Sequence, residues 1–230
     1  MGKGRSVTVV VALIGAAVVF GLARFNYNPA LYSNMYDRYL VVNLIALLLV
    51  PMLSITLLLK AEPAAFGMTS VNSKKTWAWV GLLTAGVLVL IFLVARMSSF
   101  QGYYPIFKNF SGFEAAFAGY PNTNPFEAAP WLMVYAEASY GLYLFCWEFF
   151  FRGYLLFGLQ KSLGSIAAVI LQAVAFGLLH WGKPEMIPSF AGGIILGILA
   201  LRSKSFVPCF VLHWAASIGM DVLVVALRPH

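Results

Sequence analysis

Seven long apolar runs divide this chain, and they constrain its fold more than any other feature. They lie at roughly 7–24, 40–60, 77–97, 131–160, 163–181, 187–202 and 206–227. A membrane-spanning helix needs about 20 predominantly apolar residues. Of the 230 residues 61% are hydrophobic and only 10% are charged, and the mean hydropathy is +0.85. A soluble domain carries about 25% charged residues. The sequence therefore predicts an all-α, polytopic transmembrane helix bundle of about seven helices, in one integral membrane domain.

The net charge of +7 comes from fifteen Lys and Arg scattered between the apolar runs. Charges that set topology are distributed this way, whereas a nucleic-acid surface clusters them on one face. The expected surroundings are a lipid bilayer, with no nucleic-acid partner. With the N-terminus inside, eight of these residues fall on the inner side and six on the outer, which favours a cytoplasmic N-terminus in a bacterial or archaeal cell membrane. The basic start and apolar run of "MGKGRSVTVVVALIGAAVVFG" resemble a signal peptide, but the run is long enough to span and reads as a retained first helix. Cys146 and Cys209 lie inside apolar runs without metal-type spacing and read as small buried hydrophobes.

One stretch cannot span. Residues 98–130 ("SSFQGYYPIFKNFSGFEAAFAGYPNTNPFEAAP") are polar, Pro-rich and dense in Phe and Tyr. Such a segment is expected at the membrane interface, as a belt loop or as a lid over a site. The chain thus divides into N-terminal helices (1–97), this interfacial loop (98–130) and a core of helices at 131–221.

Within that core, "LYLFCWEFFFRGYLLFGL" buries two charges in an aromatic run. A charged side chain at the membrane centre costs roughly 2.5–3.5 kcal/mol on insertion scales. Glu148 and Arg152 are four apart, share a helix face and can form an ion pair, which by itself has a purely structural reading. His180 ends the fifth run in "FGLLH". His213 lies inside the seventh in "LHWAASIGMD", with Ser217 and Asp221 following on the same stripe at four-residue steps. Counting 1.5 Å per residue from the turns permits Glu148, Arg152, His180 and His213 to meet at one depth. In the sixth run, Gly193 and Gly197 form a face suited to close helix packing.

The order "WEFFFRG … FGLLH … LHWAAS" resembles the CPBP family, the CAAX-processing and bacteriocin-immunity group of intramembrane proteases. Its motifs are Glu-Glu-x-x-x-Arg, Phe-x-x-x-His and His-x-x-x-Asn. Glu148 and Arg152 match the second Glu and the Arg of the first motif, Phe176 and His180 match the second, and His213 heads the third. Trp147 stands where the family has its first Glu, and Ser217 where Asn is commonest. The resemblance implies an intramembrane endopeptidase (a hydrolase) acting on a membrane-anchored protein or peptide. Glu148, His180 and His213 are then the catalytic candidates, and Arg152, Ser217 and Phe176 support them. Glu148 with His180 would deprotonate a water, and His213 with Ser217 would donate to the oxyanion. No cofactor is expected. Proteins of this kind were once called metalloproteases; a zinc ion would fall to His180, His213 and Glu148, although no His-Glu-x-x-His spacing is present. The alternative is a catalytically inactive relative acting as an immunity, scaffold or chaperone-like membrane protein. A transporter ranks last, because the sequence has no internal repeat.

Overall fold

The structure is a computed structural model and describes residues 3–228; His230 lies outside the described residues. The chain is helical, with one isolated bridge between Met35 and Ser111. Six helical elements are long and apolar enough to cross a membrane. Three lead the chain: α1 (Lys3–Asn26), α2 (Tyr36–Leu58) and α3 (Lys74–Val94). The longest, Pro130–Leu178, has 49 residues and is broken at Gly164 (φ 77°, ψ 169°). That backbone geometry is accessible only to glycine. It separates two limbs, α4 (130–163) and α5 (165–178). Then come α6 (Met186–Ser203) and α7 (Val207–Ala226).

The expected bundle is present, with one correction. The fifth run is a limb of about 21 Å at 1.5 Å per residue, too short to cross a 30 Å hydrocarbon core alone. It stops early because the loop after Leu178 turns through Gly182 in the left-handed region (φ 74°).

Local signals account for the helix ends. Ser73 caps α3 by accepting from the Thr76 amide at 3.2 Å. Proline occupies the first turn of α4 and of α7, where an amide would be unpaired in any case. Lys204, in the left-handed region, closes α6. Pro51 lies within α2 between two π-helical turns, Ile45–Leu49 and Ser54–Leu58, so the wider turns accommodate its missing amide.

The helices alternate in direction, so the connections gather at two ends. At the turn end, Thr8 Oγ1 donates to Gly158 O at 3.0 Å, and Thr69 Oγ1 donates to Lys204 O at 2.9 Å. At the opposite, cap end, Tyr27 OH lies 3.0 and 2.9 Å from the carbonyls of Leu179 and Trp181. The first helix is therefore held along its length by the C-terminal core. Large side chains such as Leu13, Phe20, Leu82 and Ile166 are exposed on the outside, as a lipid-facing surface requires.

Residues 98–130, expected as a belt loop or a lid, form a packed cap. Short helices at Ser98–Tyr103, Glu114–Phe117 and Pro125–Ala128 fold back on the bundle. Phe107 is fully buried. The Tyr36 ring makes edge contacts with Phe107, Phe110 and Phe113 at 5.7, 5.3 and 5.2 Å, a geometry that aromatic quadrupoles favour.

Gly193 on α6 supports close packing as expected. A Cβ there would lie 2.9 Å from both Cα and Cβ of Ala173 on α5, whereas one at neighbouring Gly192 would meet nothing. Both Gly→Ala changes gain about 1 kcal/mol of helix propensity, but only Gly193→Ala incurs overpacking of about 1–3 kcal/mol. Thermal unfolding in detergent should show Gly192→Ala unchanged or raised in midpoint and Gly193→Ala lowered.

Candidate active site

Glu148 closes the regular part of α4. The next seven residues, Phe149–Leu155, are π-helical, a widening that often accompanies functional positions. Three consecutive phenylalanines, Phe149 to Phe151, are fully buried, as are Glu148 and Arg152. Arg152 Nη1 donates to Glu148 Oε1 at 3.0 Å. His213 on α7 brings its Nδ1 to the same oxygen at 2.7 Å. A carboxylate only accepts, so the proton lies on His213 Nδ1, and Nε2 of the neutral ring keeps its lone pair.

Phe176 joins the groups. Its ring lies under the Arg152 guanidinium, 4.0 Å from Cζ to the ring centre, a cation–π contact. The same ring is 4.6 Å from the His180 ring and 5.9 Å from that of His213. His180 Nδ1 sits 2.8 Å from the carbonyl of Phe176. A carbonyl cannot donate, so His180 also holds its proton on Nδ1 and leaves Nε2 as the acceptor. The Phe-x-x-x-His spacing therefore supplies both an aromatic plate and the backbone acceptor that orients the imidazole.

The sequence expectation paired Glu148 with His180; in the structure its hydrogen bond goes to His213. Trp147 is the residue beside His180, with ring centres 6.0 Å apart and planes at 88°. Consecutive helical residues point about 100° apart, which divides the two histidines between Glu148 and Trp147. Ser217 follows His213 by one turn and is partly buried. Asp221, two turns on, is buried, and its carboxyl is near enough to that of Glu137 on α4 to interact with it. That second carboxyl pair was not anticipated, since nothing in the spacing links residues 137 and 221. Four polar atoms around the site, Glu148 Oε2, Arg152 Nε and Nη2, and Trp147 Nε1, are buried without a protein hydrogen-bond partner.

The zinc set named from the sequence is not assembled. Among the described residues no three His, Cys, Asp or Glu side chains gather as metal ligands. Both His Nδ1 atoms, and Glu148 Oε1, are engaged in the contacts above.

This arrangement spans α4, α5 and α7, the part of the chain for which a comparison gives an answer. Residues 129–219 match an Rce1-like family model. The family model is described as type II CAAX prenyl endopeptidase Rce1-like. No curated protein and no solved structure matches the chain. The Rce1-like domain begins at α4 and ends within α7, so it contains every candidate residue from Glu148 to Ser217. The match supports a CAAX-type intramembrane protease fold over these residues, and with six candidate spanning elements among the described residues the chain is an integral, multi-pass membrane protein.

Within the Rce1-like domain, Arg152 and Glu148 make each other tolerable. Removing one partner of a fully buried pair costs about 3–5 kcal/mol, because the other charge is left unmatched. Chemical denaturation in detergent should find Arg152→Met destabilised by about that amount. Glu148→Gln/Arg152→Met should recover a large part of it, the non-additivity expected of a coupled pair.

Proposed function

We propose that the protein is an intramembrane endopeptidase of the CAAX-processing type, hydrolysing a peptide bond in a membrane-anchored protein or peptide. The observation that carries this reading is the hydrogen bond between Glu148 and His213, with His180 packed across Phe176. Peptide hydrolysis needs a base for water, donors for the oxyanion and a proton for the leaving amine. His213 offers Nε2 as the base, while Glu148 holds its Nδ1–H and balances the charge when the ring takes a second proton. That proton is then available to the leaving nitrogen. Arg152 holds Glu148 in place, and the Ser217 hydroxyl is a donor one turn from the base. His180 Nε2 is a second acceptor for the water. The walls of Phe149 to Phe151 exclude bulk solvent, which strengthens each of these interactions.

A second reading has its own observation. Trp147, at the family's first Glu position, brings an indole rather than a carboxylate against His180. An indole N–H donates and cannot act as a base. An inactive relative serving as scaffold or immunity protein would retain the fold with this substitution. On either reading, the excess of Lys and Arg at the turn end favours that end on the cytoplasmic side.

Purified protein in liposomes with a membrane-anchored reporter peptide separates the two. The endopeptidase reading expects cleavage by wild type and a loss of at least about 10²-fold in Glu148→Gln and His213→Ala, with a smaller loss in His180→Ala. Wild type indistinguishable from the three variants, all of them folded, would establish the inactive relative. In that case Trp147→Glu is the change expected to introduce activity.

A further inference from the structure

At the cap end a cavity of about 480 Å³ opens between α1, the cap and the loop after α5. Its volume is in the range of small-molecule sites, roughly 300–1,000 Å³. The cavity is rich in tyrosine, with Tyr39, Tyr103, Tyr140 and Tyr143 among the lining residues, and Trp147 and Lys183 also line it. Trp147 therefore borders both the cavity and, at 6.0 Å, the His180 ring. Its indole is 3% exposed and its N–H has no protein acceptor.

Lys183 is half-buried in this lining. Neither of the two ion pairs among the described residues involves it; both belong to Glu148. The acidic group whose charge acts on it is Glu185, which forms no ion pair with it. Burial pushes the Lys183 ammonium below the usual lysine range, and Glu185 opposes that only in part. An ammonium desolvated without a paired anion gains when a ligand supplies one. Tyrosine rings with their hydroxyls suit a ligand that is apolar or aromatic in its body and polar at its end.

We propose that this cavity is an anion-accepting subsite, in which Lys183 holds the carboxylate or phosphate of a ligand whose apolar or aromatic body lies against the tyrosines and Trp147. The anion has two natural sources, an acidic end of a peptide or a phosphate on a single-chain lipid. Only the first rests on the proposed peptidase function.

The test is binding rather than turnover, by calorimetry on the full chain in detergent. Two matched pairs serve as probes: benzoyl-leucine against its amide, and lysophosphatidate against the neutral monoacylglycerol. Wild type should prefer the charged member of at least one pair by about tenfold, and Lys183→Gln should bring that ratio to about one, with Lys183→Arg retaining it. Preference within the peptide pair identifies a substrate end, preference within the lipid pair a headgroup, and preference in both a general anion site. Charged and neutral members binding alike in wild type would overturn the proposal, whatever the folding of the variants. So would a preference that survives in Lys183→Gln. Glu148→Gln should keep the preference, which separates this result from the fate of the peptidase reading. Loss of the preference in folded Glu148→Gln would mean that the anion is read by the Glu148 cluster and not by Lys183.

Discussion

One oxygen atom, Glu148 Oε1, accepts from both Arg152 and His213, and the C-terminal half of the molecule is organised around that fact. A guanidinium with no solvent exposure inside a membrane bundle must be matched by charge and by polarisable surface. Glu148 supplies the first and the face of Phe176 the second. The carboxylate in turn needs both donors. Because the donors come from α4 and α7 and the aromatic plate from α5, satisfying this charge fixes the three helices at one depth. The low-dielectric surroundings that make an unpaired charge expensive also make the paired set directional. Such a set can hold an imidazole in one tautomer.

The helical runs could be read directly, because hydropathy over 20 residues is a local property. So could the Glu148–Arg152 pair, since four residues of helix bring two side chains to one face whatever surrounds them. Depth arithmetic permitted His213 to meet Glu148, because rise per residue is fixed. It could not say which histidine the carboxylate would face. That depends on the rotation of α4 about its own axis, where neighbours at 147 and 148 diverge by about 100°. The rotation is settled by non-local packing, with Trp147 against Phe151 and Phe176.

The other departures share that origin. The fifth run, read as 163–181, is shorter as a helix because Gly164 breaks the chain at its start and the helix ends at Leu178, before the turn at Gly182. The cap looked like a loop because its prolines and polar residues mask a buried aromatic set. Phe107 and Phe113 pack on Tyr36, some seventy residues away in sequence, and on Tyr140 and Tyr135 of α4. The stripe from His213 to Asp221 was correct as helix geometry. It does not form one functional row, because Asp221 finds Glu137 while His213 finds Glu148.

These rotations give the two histidines different surroundings although they share the Phe176 plate. His213 is backed by a carboxylate that can balance a second proton. His180 is backed by a backbone carbonyl and flanked by an indole, with no anion in contact. A second proton on His213 would lie beside a carboxylate, whereas one on His180 would not. A glutamate at position 147 would remove that asymmetry by putting a carboxylate beside His180. With Trp147 in its place, the proposed acid–base chemistry would fall to the Glu148–His213 side. The His180 side is walled by the Trp147 indole, which also borders the tyrosine-lined cavity.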